Sequence, residues 1–252
     1  MIVAVATQKG GSAKTTTVVN LGAALAEREE RTLIVDLDAQ AHATLWLLGP
    51  TARQVGPFVQ DWLEGRANAE AAVRQTRWPQ LEVLPANLAL NHLRDRLQAA
   101  ARPADARVLD DHLRKLAPAY HWVLLDCPAG LSSLTINALV ASDGLLIPVA
   151  PPDSLAADGT HHMLTTVERI RQGGNPKLRV LGVLLANTQL QRASQRRQVE
   201  ELERAGLPLL ATRVPASARV GTALAAYCPV VTYAPKSAVA AAYRALVVEI
   251  RC

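Results

Sequence analysis

The chain has 252 residues, 50% of them hydrophobic and only 4% aromatic, and it carries a formal charge of +5 at pH 7. Its apolar runs are far shorter than the roughly 20 residues that a membrane-spanning helix needs, which excludes an integral membrane protein of that kind. The three cysteines, Cys127, Cys228 and Cys252, have no metal-ligand spacing and suit a reducing cytoplasm.

Strand-like and helical segments alternate along the chain, beginning with the apolar run IVAVAT, and we expect no signal peptide before it. Continuous rather than alternating apolarity predicts strands that are buried on both faces, as in a parallel sheet. The predicted strands are 2–7, 32–36, 81–85, 121–127, 144–150, 179–187, 208–214 and 229–233. Helices are predicted over 14–28, 87–100, 104–117, 131–141, 154–172, 193–205, 217–226 and 236–250, with short helical pieces in 42–78.

This alternation predicts an α/β fold, a doubly wound and mostly parallel sheet flanked by helices on both faces. Residues 1–252 show no internal repeat, low-complexity tract or long linker. We therefore expect a single domain without an N-terminal helix-turn-helix extension. In such sheets ligands bind at the carboxyl ends of the strands, so the residues that follow each apolar run are the candidates for function.

The first of these segments, QKGGSAKTTT at 8–17, has the composition of a phosphate-binding loop between a strand and a helix. Gly10 and Gly11 would let backbone N–H groups approach an anion closely. Lys14 would reach the β- and γ-phosphates of a nucleotide, and Thr15 would offer its hydroxyl to Mg²⁺. A solvated glycine turn is the simpler alternative, but the strand–loop–helix placement favours a P-loop.

The loop departs from the usual pattern G-x-x-x-x-G-K-[ST] at two positions, where Gln8 and Ala13 stand in place of glycine. It also has an additional cation, Lys9, before the glycine pair. A Cβ at position 13 costs little if φ is negative and introduces strain if φ is positive.

Two further apolar runs end in carboxylates. VDLDAQ places Asp36 at a strand end and Asp38 two residues later, and HWVLLDC places Asp126 at the end of another strand. A carboxylate on a rigid strand can hold Mg²⁺ through water, and another can orient an attacking water. Taken alone, Asp36 and Asp38 could instead be a pair of turn or helix-capping aspartates. Beside a phosphate loop, the metal-binding interpretation is favoured.

These motifs resemble the ParA family of partitioning ATPases, in the deviant Walker A group of P-loop NTPases that also contains MinD and the nitrogenase iron protein. The loop of that group reads K-G-G-x-G-K-[ST], so Gln8 is normal for it and Lys9 is its signature lysine. DLDAQAHATLWLLG resembles the segment D-x-D-P-Q-G-N-A-T, with Ala39, Ala41 and His42 at positions of difference. LLDCPAG resembles its Walker B motif, and 214–250 resembles its C-terminal stretch.

The resemblance implies ATP and Mg²⁺ as cofactors and a homodimer that forms on ATP binding. Lys9 would reach the γ-phosphate in the other subunit, Lys14 would be catalytic beside it, and Asp38 would position the attacking water. Thr15 would bind the metal directly, with Asp36 and Asp126 acting through water. The implied nucleotide-binding residues are Lys9, Gly10, Gly11, Ser12, Ala13, Lys14, Thr15, Thr16, Asn187, Pro215 and Ser217.

Family members bind DNA nonspecifically as ATP-bound dimers, and a ParB-type centromere-binding protein stimulates their slow hydrolysis and release. The resemblance thus implies a cytoplasmic, nucleoid-associated ATPase for chromosome or plasmid partition. Its DNA contacts would be Arg192, Arg196, Arg197 and Arg219. The same charges fit a solvated helix face on which Arg196 pairs with Glu200 and Arg197 with Glu201.

Other functions within and near this group stay open. A related ATPase could position a protein cargo, and a nucleotide-binding protein that no longer hydrolyses ATP would account for Ala13 and Ala39. A MinD-like ATPase would cycle on a membrane through a basic amphipathic helix, whereas 236–250 reads as a packed last helix, so we expect no membrane partner. An iron–sulfur reductase would need cluster-bridging cysteines, and Cys127 and Cys228 lie on distant segments.

Overall fold

The computed structural model describes residues 1–100, 107–151, 156–189 and 191–251. Its strands are β1 (Ile2–Val5), β2 (Thr32–Asp36), β3 (Arg74–Gln75), β4 (Leu81–Leu84), β5 (Trp122–Asp126), β6 (Gly144–Val149), β7 (Arg179–Thr188) and β8 (Leu209–Pro215). They form an eight-stranded sheet in the order β3-β4-β2-β5-β1-β6-β7-β8. All neighbouring strands are parallel except β3, which pairs antiparallel with β4 at one edge.

Helices connect the strands and cover both faces of the sheet. They are α1 (Lys14–Ala26), α2 (His42–Leu48), α3 (Val59–Leu63), α4 (Ala69–Ala72), α5 (Leu90–Ala100), α6 (Val108–Leu116), α7 (Ser133–Ala141), α8 (Ala156–Gly173), α9 (Ala193–Arg204), α10 (Ala218–Ala225), α11 (Val230–Tyr233) and α12 (Ala238–Glu249). Short 3-10 helices span Pro50–Arg53 and Ala117–Ala119. The predicted doubly wound, mostly parallel α/β sheet is confirmed.

The core has two layers because successive strand residues point to opposite faces of the sheet. In β1, Val3 and Val5 pack with α1, α2 and α10–α12 on one face. Ala4, between them, belongs to the cluster on the other face, which α3 and α5–α9 cover. Burial on both faces explains why the strands read as continuous apolar runs rather than as alternating patterns.

The prediction of a strand at 229–233 is wrong, because this segment forms the short helix α11. Pro229 precedes the helix, and Val230 and Val231 are fully buried against α1. The side chain of Asn20 on α1 accepts a hydrogen bond from the backbone N–H of Val231 at 3.2 Å. A short apolar run does not distinguish a buried strand from a buried helical turn, and here the tertiary contacts decide.

One other difference is smaller, and a few predicted residues are not tested. The antiparallel edge strand Arg74–Gln75 has no apolar run and was not predicted. The first residues of the helices predicted at 104–117 and 154–172, together with Cys252, lie outside the described residues.

The sheet register brings the candidate residues to one edge. Val5 at the end of β1 pairs with Asp126 at the end of β5, and Asp126 pairs with Asp36 at the end of β2. The three strands are neighbours and parallel, so the loop after β1 lies beside both carboxylates. The fold thus assembles one site from segments that lie far apart in the sequence, at the ends of β1, β2 and β5.

Candidate nucleotide-binding site

The loop between β1 and α1 is organised around the carbonyl of Lys9. The hydroxyl of Ser12 and the ammonium of Lys14 both donate hydrogen bonds to this oxygen, each at 3.2 Å. Gly11 has a φ of 75°, a left-handed conformation that suits glycine. The loop thereby curls over the start of α1, with Gly10 and Gly11 exposed at its tip.

The alanine before Lys14 also adopts a left-handed conformation. Ala13 has φ 66° and ψ 26°, and Ala41, which precedes α2 in the same way, has φ 52° and ψ 44°. Such a backbone costs an L-residue with a Cβ roughly 1–2 kcal/mol, whereas glycine adopts it readily. The helix entrances at both alanines therefore carry strain that glycine would relieve.

A cavity of about 540 Å³ extends along the carboxyl edge of the sheet, within the size range of small-molecule sites. The phosphate loop forms its floor over β1. Groups from the β2 and β5 connections close one end, and a more apolar wall from β7, β8, α10 and α12 closes the other. The lining residues are Gly10, Gly11, Ser12, Ala13, Lys14, Thr15, Thr16, Asp38, His42, Ala129, Ala186, Asn187, Val214, Pro215, Val220 and Tyr243.

Lys14 is buried beneath the loop, with only 8% of its surface exposed. Burial lowers the pKa of its ammonium, and the negative charges of Asp126 and Asp38 partly oppose that shift. A cation that has already lost most of its water interacts strongly with an anion placed in the cavity.

Asp36 is fully buried, and hydrogen bonds satisfy its carboxylate. The backbone N–H and the hydroxyl of Thr44 donate to its Oδ2 at 2.9 and 2.7 Å, and the N–H of Asp38 donates to Oδ1 at 3.2 Å. The Thr44 hydroxyl in turn accepts from the N–H of Ala86 at 2.9 Å. Burial nevertheless raises the pKa of Asp36 to about 6, against the opposing effect of the Thr44 hydrogen bonds.

Asp126, in register with Asp36, is equally buried but differs in its contacts. Neither carboxylate oxygen has a hydrogen-bond partner of normal geometry among the described residues. Burial raises its pKa well above the ordinary value, and the charge of Asp36 adds to the rise, which the Thr15 hydroxyl and Lys14 partly offset. Buried carboxylates are normally paired or bind a cation, so this side chain is arranged for a partner that is not part of the protein.

The structure brings most of the predicted nucleotide-binding residues together, although not all of them line the cavity. Lys9 is exposed on the loop, outside the lining. Asn187 and Pro215 lie at the apolar end, and Asn187 has a φ of 56°. Ser217 instead caps α10, where its hydroxyl accepts a hydrogen bond from the N–H of Arg219 at 3.3 Å.

Some residues of the site were not singled out from the sequence. Thr44 was part of the recognised D-x-D segment, but its role depends on contacts with β2 and with the residue after β4 that only the fold reveals. Val214, Val220 and Tyr243 line the cavity as ordinary apolar or aromatic residues of predicted strands and helices. No local sequence signal distinguishes them from core residues.

The candidate DNA-binding arginines lie on the surface. Arg192 precedes α9, Arg197 is the fifth residue of that helix, and neither forms an ion pair with the described part of the chain. Two glutamates of α9 lie close to arginines that were not considered from the sequence. Glu200 lies 3.9 Å from Arg204, and Glu203 lies 3.1 Å from Arg213.

Comparisons with known proteins agree with the geometry. The AAA domain family model matches residues 1–180. The chromosome partitioning protein ParA of Caulobacter vibrioides is 36% identical over 253 residues, which cover 99% of this chain and 93% of the relative. The sporulation initiation inhibitor protein Soj of Bacillus subtilis is 34% identical, and the match covers 99% of this chain and 97% of Soj.

Two solved structures add three-dimensional similarity. The cobyrinic acid a,c-diamide synthase of Mycobacterium smegmatis, with bound ATP analogue and magnesium, has a TM-score of 0.83 at 32% identity. The match covers 98% of this chain and 92% of the synthase chain. The cell division ATPase MinD of Pyrococcus furiosus has a TM-score of 0.80 at 27% identity, and the match covers 99% of this chain and 98% of the MinD chain. Within the described ranges, none of the helices combines the length and apolarity required to cross a bilayer.

Proposed function

The chain belongs to the ParA family of P-loop partitioning ATPases, and we propose that it is an ATP-dependent DNA-partitioning ATPase that works as a nucleotide-controlled switch. The observation that carries this proposal is the buried carboxylate of Asp126, which has no hydrogen-bond partner of normal geometry among the described residues and lies beside Lys14 and Thr15 of the cavity lining. A buried anion with open coordination next to a phosphate loop is what a metal–nucleotide complex requires.

The residues present fit Mg²⁺ and ATP. The hydroxyl of Thr15 would bind the metal directly, and Asp126 would hold one of its waters. Asp36 already accepts three hydrogen bonds, but a carboxylate has about four acceptor sites, so it can also accept a hydrogen bond from a metal-bound water. Bound Mg²⁺ would supply charge neutralisation of the β- and γ-phosphates.

The chain's own groups would then carry out three tasks. Lys14 neutralises charge on the phosphates from its buried position. Asp38 accepts a hydrogen bond from the N–H of Gln40 at 2.9 Å and thus has a fixed orientation from which to hold an attacking water. Lys9, exposed on the loop, adds a second cation to the γ-phosphate in a partner subunit, which couples dimerisation to ATP binding.

Two lysine variants test this division of roles. Lys14→Ala should abolish ATP binding, because it removes the cation inside the cavity. Lys9→Ala should bind ATP with little loss but remain a monomer, as measured by analytical ultracentrifugation with a non-hydrolysable ATP analogue. If Lys9→Ala dimerises as the wild type does, the cross-subunit role is incorrect.

DNA binding is proposed through the exposed arginines at the start of α9. The double variant Arg192→Ala, Arg197→Ala should lose ATP-dependent retention on nonspecific DNA while its ATP hydrolysis stays near normal. The matched control is Arg204→Ala, Arg213→Ala, which removes the same charge from arginines that are already paired with glutamates. Retention should fall steeply with salt in the wild type and less steeply in the first variant.

Equal loss of DNA retention in both double variants would mean that net charge alone binds DNA and that α9 is not the contact.

A ParB-type protein is the proposed partner, and it should accelerate hydrolysis when DNA is present. A MinD-like membrane cycle is less well supported, since Val239, Tyr243 and Leu246 direct the apolar face of α12 into the core.

A further inference from the structure

An ionisable side chain in the cavity has no role in the mechanism above. His42, the first residue of α2, is exposed and lines the cavity together with Lys14, Thr15 and Asp38. Its imidazole forms no hydrogen bond or ion pair with the residues that the structure describes. The side chain can therefore contact a ligand in the cavity without breaking an existing interaction.

The strand order determines which part of a nucleotide His42 faces. The phosphate loop follows β1, the apolar wall comes from the β7 and β8 side, and β5 and β2 lie on the opposite side. A nucleotide whose base lies against the apolar wall extends its phosphates across the loop towards β5 and β2. His42 and Asp38 both follow β2, so they lie on the side of the terminal phosphate.

The backbone around His42 is fixed from both directions. On one side, Nε and Nη2 of Arg53 donate hydrogen bonds to the carbonyl of Ala41 at 3.2 and 3.1 Å. On the other side, Thr44 is bound to the buried carboxylate of Asp36. His42 thus has a defined position at the cavity wall, while its exposed side chain is not held by packing.

We propose that His42 binds the terminal phosphate and makes the site prefer ATP over ADP. The proposal rests on the proposed function in requiring a nucleoside triphosphate in the cavity. Lys14 and Asp38 line the cavity together with His42, and Arg53 holds the backbone next to it. A ring N–H of the imidazole can donate a hydrogen bond to an oxygen of the γ-phosphate, a group that ADP lacks.

The test is isothermal titration calorimetry of a non-hydrolysable ATP analogue and of ADP, both with saturating Mg²⁺ and at the same pH. The ratio of the ADP to the analogue Kd should be about fivefold higher in the wild type than in His42→Ala, the scale of one hydrogen bond. His42→Lys, which restores an N–H donor, should keep the high ratio.

His92→Ala, which truncates an exposed histidine on α5 outside the cavity, should behave as the wild type. A His42→Ala protein that keeps the wild-type ratio would overturn the proposal. A wild-type protein that shows this ATP preference but is not retained on DNA would instead overturn the proposed partitioning function and leave His42 in its role.

Discussion

Asp36 and Asp126 are the same residue type, in register on neighbouring strands and both buried, yet the protein uses them differently. Asp36 accepts hydrogen bonds from Thr44 and Asp38, and thereby fixes the start of α2 to the sheet. Asp126 has no such partner among the described residues. The contrast teaches that burial of a carboxylate does not itself indicate function, and that its unmet hydrogen bonds do.

The strongest test of this contrast is ATP hydrolysis by Asp126→Asn. The amide keeps the shape of the side chain but removes the negative charge that we assign to the metal site. Loss of one preorganised electrostatic group lowers turnover about 100-fold or more, as measured by phosphate release with DNA present. Turnover within a few-fold of the wild type would mean that Asp126 is an unsatisfied structural residue and not part of the site.

The matched variant Asp36→Asn should mainly affect stability. Its amide group would present N–H donors where Thr44 and Asp38 already donate, which leaves buried donors unpaired. We expect a loss of about 2–3 kcal/mol in the free energy of unfolding, measured by urea denaturation without nucleotide. Asp126→Asn should be at least as stable as the wild type in the same experiment, because it removes a buried charge. Equal destabilisation of the two variants would erase the distinction.

The pH dependence of stability gives a third comparison. Burial raises the pKa of both carboxyls, that of Asp36 to about 6, above the ordinary 3.8. The folded state then holds these protons more tightly than the unfolded state, so this contribution to stability is complete below about pH 4 and is lost as the pH rises through 6. The stability gain from Asp126→Asn should therefore be larger at pH 7 than at pH 4. A gain that does not change with pH would contradict the assigned cause.

The smallest expected effect concerns the strained entrance to α1, next to Asp126. Ala13→Gly should raise the free energy of unfolding by about 1 kcal/mol, since glycine adopts the left-handed conformation without a clashing Cβ. Ala245→Gly, at an exposed position within α12, should lower it by a similar amount. If both substitutions destabilise the protein, the conformation at position 13 is not the source of strain.

The residues nearest to one another in the sequence were the best predicted. The strand–loop–helix order around Lys14 and the carboxylates at strand ends follow from apolar runs and from local motif spacing, so the fold class and the phosphate end of the cavity could be predicted. The segment at 229–233 could not, because its apolar run fits a strand or a helical turn and only its contact with Asn20 decides. At the base end of the cavity, the family resemblance pointed to Asn187 and Pro215, but Val220 and Tyr243 carry no local signal and were not predicted.

The sequence by itself therefore determined the doubly wound sheet, the phosphate loop and the identity of its charged groups, because each depends on interactions within a short segment. Tertiary structure alone decided how those groups differ. It paired Asp36 with Thr44, gave Asp126 no hydrogen-bond partner of normal geometry among the described residues, and placed His42 in the cavity. It also set the φ of Ala13, which no pattern of residues could supply. These properties depend on distances between segments, and such distances exist only after the chain has folded.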